Sequence, residues 1–360
     1  MSGIFGNNIK VSIFGESHGN GIGITINGLP SGFEIDMDKV LQEMERRAPG
    51  KNKLSTARKE SDLPEILSGY FEGKTTGTPF CAIIRNSDTR SKDYSKTKDF
   101  MRPGHADYTG YERYSGFNDY RGGGHFSGRI TAPLVFAGAL CKQILEKKGI
   151  FIGAHILSVK DVYDKNFDEL DISIDELMNI KNKELPLIDI TLKDKIENTI
   201  MQAKYNGDSV GGTIECAVVG IKPGVGNPFF DSVESILAHL MFSIPAVKGI
   251  EFGKGFDITK LYGSEANDEF FYNEDKIMTK SNNNGGILGG ITNGMPILFK
   301  VAIKPTASII KEQNTVDIKN KKNVKFRIQG RHDPCIVQRA VPVVEAVTAI
   351  GILDLIKERY

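Results

Sequence analysis

Cysteine is scarce and scattered. Cys81, Cys141, Cys216 and Cys335 stand far apart and form no C-x-x-C pair, so neither a disulfide framework nor a zinc knuckle is expected. No apolar run reaches membrane-spanning length, and the N-terminal residues lack a signal-peptide core. These absences predict a soluble, cytoplasmic protein without a membrane partner. An excess of charge is also missing: 46 Lys and Arg against 45 Asp and Glu leave a net charge of +1. That balance gives no global support to a nucleic-acid partner. The six histidines include no H-x-x-x-H pair, so no metal site is expected.

Glycine is what the chain has in excess, 39 of 360 residues, about 11% against the usual ~7%. It gathers in the stretch 102–129, RPGHADYTGYERYSGFNDYRGGGHFSGR, beside four arginines, four tyrosines and two histidines. The stretch shows neither strand alternation nor a helical apolar stripe. A loop of that length inside a compact domain is usually functional. Glycine lets backbone approach a ligand, and arginine forks onto carboxylates and phosphates. The composition predicts a loop facing an anionic molecule with a flat part.

The rest reads as an α+β chain, assigned as a single domain over 1–360. Strands are expected at 9–14, 21–27, 65–71, 79–85, 153–159, 212–219, 247–252, 297–304 and 324–328. Helices are expected from Asp36 to about Ala48, from Thr131 as N-cap to about Lys148, over 192–206, from an Asp231 capping box to Phe242, and from Pro342 to the end. Residues 160–190 are polar and weakly patterned, which predicts a surface excursion. Strand, Gly/Pro turn and capped helix occur in that order at 23–41 and again at 212–237, which suggests a duplicated unit. Six cations between Arg46 and Lys59, with no acid among them, read equally as a solvated basic face or an anion cradle.

Several motifs fail on context. Gly15-Glu16-Ser17-His18-Gly19 fits the nucleophile elbow of serine hydrolases, but it follows a first strand and precedes a second instead of a helix. Ser17 and His18 are better read as ligand contacts. Gly69 to Thr75 is one residue short of a Walker A loop and is better read as a hairpin. His18, His105, His125 and His332 each sit beside glycine, arginine or aspartate, as active-site histidines do, whereas His155 and His239 lie among apolar residues and read as structural. Lys304-Pro305-Thr306-Ala307-Ser308 offers an ammonium and hydroxyls suited to a phosphate. Arg331-His332-Asp333 with Arg339 combines a cation clamp with an acid–base pair. Chemistry alone therefore predicts an enzyme acting on a phosphorylated, carboxylated small molecule, with a phosphate-bearing cofactor.

FGESHG at 14–19, RRAPG at 46–50, LSGYFEGKTTGTP at 67–79, RPGHADYTG at 102–110, DYRGGG at 119–124, AVKG at 246–249, NNGGILGGITNG at 283–294, KPT at 304–306 and RHDPC at 331–335 follow one another along nearly the whole chain. In that set and order the sequence resembles the chorismate synthase family. The resemblance implies a homotetrameric lyase with a β-α-β sandwich fold and long active-site loops. It implies anti-1,4-elimination of phosphate from 5-enolpyruvylshikimate 3-phosphate, dependent on reduced FMN. NADPH or a separate flavin reductase would supply the reduction. By matching position, His105 would be the acid near the leaving phosphate and His18 the histidine near the flavin. Asp333 would take the proton at flavin N5. Ser17, Arg46, Arg47, Lys53, Arg102, Arg129 and Arg339 would hold the substrate. His125, Phe126, Ser127, Pro245, Ala246, Gly289, Lys304, Pro305, Thr306, Ala307, Ser308 and Arg331 fall at the cofactor positions. The chain departs from the family pattern at His125-Phe126, where Arg-Ser is usual, at Pro245 for asparagine, at Lys51 for glutamine and at Lys53 for arginine. Those departures keep open an alternative, a flavin-binding protein with lost or altered catalysis.

Overall fold

The computed structural model describes residues 3–50, 54, 62–86, 98–328 and 332–357. Two five-stranded antiparallel sheets enclose a layer of helices. The first sheet runs in the order β1 (Ile4–Phe5), β2 (Lys10–Gly15), β3 (Gly21–Asn27), β5 (Phe80–Arg85), β4 (Pro64–Ser68). The second runs β9 (Val247–Phe252), β10 (Ile297–Ile303), β8 (Gly212–Val219), β6 (Phe151–Val159), β7 (Val162–Tyr163). Between them lie α1 (Met37–Arg47), α2 (Thr131–Glu146), α3 (Val233–Ser243) and α4 (Val337–Lys357).

Side-chain alternation explains the layering. Ile22, Ile24 and Ile26 on β3 are completely buried against the helices. Ile214, Cys216 and Val218 on β8 face the same core, while Ala217 and Val219 face the opposite side. Each buried aliphatic side chain of this kind contributes about 1.5–3 kcal/mol. α2 is buried along almost all its length and crosses α4 where Gly138 meets Ala346. A Cβ on Gly138 would lie 2.3 Å from that of Ala346, so a larger residue there forces the two central helices apart.

The two sheets share one topology. In each, a first strand pairs with a second, a helix follows, a third strand takes the edge, a fourth returns between second and third, and a long helix ends the unit. Thus β2-β3-α1-β4-β5-α2 corresponds to β6-β8-α3-β9-β10-α4. The segments 23–41 and 212–237 occupy equivalent places in the two halves.

Four expectations are corrected. Thr131 is not the N-cap of α2: it is the first helical residue and its hydroxyl donates to the Gly128 carbonyl at 2.7 Å. α3 is capped by Ser232, which accepts from the Ser235 N–H at 3.0 Å, one residue beyond Asp231. α4 begins at Val337, so Pro342 lies inside the helix, where burial in the core outweighs the lost backbone bond. Residues 160–190 are not a loose excursion. Phe167, Ile172, Leu177 and Ile180 are buried and cover the outer face of the second sheet at Ala217, Val219 and Leu298. His155 pins that cover: its Nε2 lies 3.0 Å from Glu215 and its Nδ1 3.4 Å from Asp164, whose carboxylate also accepts from the Ile188 and Asp189 N–H groups. Its surroundings are carboxylates as well as the apolar neighbours expected. Gly69 to Thr75 does form a hairpin, Tyr70–Phe71 against Lys74–Thr75, turning on Glu72 and Gly73 at positive φ. Among the described residues no helix is long and apolar enough to cross a membrane.

Candidate active site

Equivalent topology gives the two long helices equivalent starts. α2 and α4 both begin at one end of the helix layer, beside the C-terminal end of α3. With segments 102–130, 244–248 and 304–308 they wall a cavity of about 810 Å³. That is near the top of the usual size range for small-molecule sites. Among the described residues six cations line it, Arg47, Arg102, Arg129, Lys248, Lys304 and Arg339, against one carboxylate, Asp333. The positive ends of the α2 and α4 dipoles point the same way. Apolar wall comes from Ile13, Leu134, Val247, Ile336 and Val343. A polyanion with an apolar part fits this lining.

Five of these cations are held by specific partners. Arg47 and Arg129 grip the two oxygens of Asp62, whose side chain is fully buried. Burial would raise the Asp62 pKa, and the two guanidiniums outweigh it, holding the carboxyl ionised below its ordinary range. Arg129 also donates from Nε to Asn86 Oδ1 at 3.1 Å, while the Asn86 amide fastens the 16–19 turn through the Glu16 and Gly19 carbonyls. Arg339 donates to Asp333 at 2.5 Å and, from Nε, to the Arg47 carbonyl at 3.0 Å. Arg102 makes two bonds of 2.6 Å to Asp107. Lys304 reaches the Gly104 carbonyl, which ties the phosphate-type segment 304–308 to the 102–110 loop.

The glycine-rich stretch contains more regular structure than expected, a helix at Asp107–Arg113 and 3-10 turns at Arg121–Phe126 and Gly128–Ile130. Gly122, Gly123 and Gly124 all have positive φ. A Cβ on Gly122 would sit 2.1 Å from His18 Nδ1 and 3.0 Å from Ser17 Oγ, so only glycine packs there. The Ser17 N–H donates to the Gly124 carbonyl at 3.1 Å, joining this loop to the GESHG turn.

Most residues singled out from the sequence meet at this cavity. His105, His125, Phe126, Ser127, Pro245, Ala246, Lys304, Pro305, Thr306, Ala307, Ser308, Asp333, Arg47, Arg102, Arg129 and Arg339 line it. At two of the departures from the family pattern, His125 Nδ1 lies 2.8 Å from the Gly15 carbonyl and the Phe126 ring packs near Tyr114. Ser17 and His18 lie behind Gly122 and are not part of the lining. Arg46 does not face the cavity. It forks onto Glu345 at 2.6 and 2.9 Å and reaches Glu43 at 2.8 Å, inside a buried network with Lys142 and Lys181. Its neighbour Arg47 takes the cavity side because consecutive helical residues point about 100° apart. Gly289 sits in the turn of a short hairpin between Ile287–Leu288 and Ile291–Thr292, away from the lining. Lys53 and Arg331 lie outside the described residues.

Sequence reasoning missed Asp62, Asn86, Asp107 and Lys248. Asp62 had a signal, since it follows closely on a run of cations that lacked a counter-ion. His332, noted only for its neighbours, lines the cavity, and burial with the Arg102 charge lowers its pKa against the pull of Asp333. Cys335 is excluded as a nucleophile, because burial pushes its thiol up to about 12. No group of three or more His, Cys, Asp or Glu side chains able to hold a metal ion occurs among the described residues.

Fold and lining together define an α+β enzyme with a preformed site for a polyanionic small molecule. The family model for chorismate synthase matches residues 9–356. A chorismate synthase from Pyrococcus abyssi is 46% identical over 348 residues, covering 96% of this chain and 95% of its own. One from Methanocaldococcus jannaschii is 44% identical over 361 residues, covering 98% and 95%. A crystal structure of chorismate synthase superimposes with a TM-score of 0.77 at 29% identity, covering 99% of this chain and 93% of that one. The chain belongs to the chorismate synthase family and is a lyase.

Proposed function

We propose that the chain eliminates phosphate from 5-enolpyruvylshikimate 3-phosphate to give chorismate, with reduced FMN as cofactor, at the end of the shikimate pathway. The observation that carries this reading is the lining, among the described residues, of six cations and a single carboxylate, on a scaffold of this family. A substrate with one phosphate and two carboxylates needs such a surplus of positive charge.

The cavity chemistry also suits a flavin phosphate. Thr306 Oγ1 and His332 Nε2 are buried without a hydrogen-bond partner among the described residues, which is costly unless a ligand completes them. Lys304 and Ser308 stand beside Thr306, and the aliphatic wall offers a surface for a flat ring. When bound, reduced FMN supplies electron density to the substrate ring as phosphate departs.

In this reading Arg47, Arg129 and Arg339 hold carboxylates, and Arg102 with His105 meets the phosphate. The carbon–oxygen bond breaks with its electron pair on the phosphate oxygen, which takes a proton from His105 Nε2. Asp333, steadied by Arg339, receives the proton lost from the ring, so charge balances and no net oxidation occurs. The partly enclosed setting, with its apolar wall, strengthens each of these contacts. The protein works in the cytoplasm as a single-domain subunit of a homotetramer. Reduced flavin comes either from NADPH at this chain or from a separate reductase, and mixing purified protein with NADPH and FMN distinguishes the two.

The test is anaerobic incubation with reduced FMN and 5-enolpyruvylshikimate 3-phosphate. Phosphate release is expected. FMN binding without release would favour the alternative, a flavin-binding protein whose catalysis is lost.

A further inference from the structure

His105 can present only one ring nitrogen to a ligand, and its neighbours decide which. Its Nδ1 lies 2.8 Å from Asp107 Oδ1 and 3.1 Å from Arg102 Nη2. Both contacts cannot be hydrogen bonds through one nitrogen in one tautomer: the carboxylate requires a proton on Nδ1, the guanidinium requires a lone pair. The carboxylate contact is the shorter, a lone pair on Nδ1 would face an ionised oxygen at 2.8 Å, and Arg102 Nη2 has that same oxygen as an acceptor at 2.6 Å. These contacts favour a proton on Nδ1. Asp107 is itself fixed, accepting from Arg102 through Nε, Nη2 and the backbone N–H, the last at 3.0 Å. The two partners, over the cost of burial, keep its carboxyl ionised well below the ordinary range.

The other ring edge is left clear. His105 Nε2 makes no hydrogen bond to the described residues. It lies against Gly123, where an added Cβ would come within 3.0 Å of it. Gly123 has φ +86° and follows Gly122, which lines the cavity. Carboxylate behind, glycine in front: the ring is held at one edge and given space at the other.

We propose that Asp107 is a positioning residue that locks His105 as the Nδ1–H form and so makes Nε2 the atom that serves the departing phosphate. The proposal rests on the reading of His105 as the acid at that phosphate. In the step, the ring protonated at both nitrogens gives its Nε2 proton to the phosphate oxygen as the carbon–oxygen bond breaks. The imidazole that remains is the neutral Nδ1–H tautomer, which Asp107 stabilises. Without the carboxylate the ring is free to rotate, and the doubly protonated ring loses its counter-charge at Nδ1; either change takes the proton away from the leaving oxygen.

The experiment compares wild type, Asp107→Asn, Asp107→Glu, His105→Gln and the Asp107→Asn/His105→Gln double variant for kcat, KM and FMN affinity under anaerobic conditions. Asp107→Asn is expected to lose about 10²-fold in kcat, the scale of a ~1 Å misplacement, with KM within about threefold and FMN affinity unchanged. Asp107→Glu recovers part of the loss. In the His105→Gln background the Asn substitution adds nothing, because both changes act on one group. Wild-type kcat in Asp107→Asn, or a full further loss in the double variant, overturns the proposal and leaves Asp107 as a support for Arg102 alone. A ¹⁵N-histidine spectrum of the wild-type chain, with His105 assigned from His105→Gln, gives an answer independent of how the variants fold. A proton on Nδ1 is expected, with Nε2 bare or also protonated, and a neutral ring protonated on Nε2 alone overturns the proposal. Absence of phosphate release by wild type is a different result, which rejects the function itself.

Discussion

At the residue scale, the separation of Arg46 from Arg47 decides what each can do. Arg46 belongs to a buried cluster in which Glu43 and Glu345 answer Arg46, Lys142 and Lys181. Burial would neutralise Glu43, but Lys142, Arg46 and Lys181 outweigh it and keep the carboxyl ionised. Truncating one partner leaves buried charge uncompensated, at a cost of about 3–5 kcal/mol. Arg46→Ala should therefore lower the melting temperature while KM for substrate changes little, as thermal melts and steady-state kinetics will show. A large KM rise at unchanged stability would return Arg46 to the substrate. Asp333 is expected to behave oppositely. Asp333→Ala should lose about 10²–10⁴-fold in turnover, the range for a positioned acid–base group, with FMN titration unchanged. Near-normal turnover would reject its role. The sequence named both arginines because they are adjacent in one motif. Which one faces the cavity depends on the phase of α1 against α4, which no motif encodes. Asp62 and Asp107 escaped notice for a related reason: a counter-ion takes its meaning from the cation it meets.

At the element scale, the sequence was most legible where one face is dry. The alternation on β3 and β8 marked strands correctly, and the Asp36 cap marked the start of α1, since its carboxylate accepts from the Lys39 N–H at 3.1 Å. Element starts inside the core were harder to read. Pro342 looks like a first-turn residue, yet helix–helix packing carries α4 a full turn upstream of it. The cover at 160–190 was misread because its few apolar residues are spread among charges and only meet when folded against β8. His155 gives that cover a pH dependence. Burial opposes its charge, and bonds to Asp164 and Glu215 outweigh the penalty, so its folded pKa is raised. The stabilisation is fully present below the ordinary histidine range of about 6.5 and fades as pH rises through the higher folded value. Amide exchange in residues 164–189 should accelerate on that alkaline side and lose this pH dependence in His155→Gln. An exchange rate that responds equally in both proteins, after correction for intrinsic chemistry, would remove His155 from the account.

At the scale of the whole molecule, two copies of one strand–helix plan bring two helix N-termini to the same end of the layer, where segments 102–130 and 304–308 help to wall the cavity. The duplicated plan was visible as a loose repeat. The convergence of its two halves on one cavity was not, because it depends on how the sheets face each other. Large aromatics remain exposed on the surface, Phe117 at 92%, Phe230 at 89% and Tyr262 at 80%. Contacts between copies would bury such groups. Sedimentation should give four times the 39.6 kDa chain mass, and a stable monomer with full activity would reject the tetramer. The central claim is that this cation-lined cavity promotes an elimination without net redox change. Its most direct test is a sealed anaerobic reaction with reduced FMN far below the substrate concentration, in which phosphate, chorismate and flavin redox state are measured together. The account predicts equal phosphate and chorismate, many turnovers per flavin, and flavin still reduced at the end. Product limited to one equivalent per flavin, with the flavin oxidised, would contradict it.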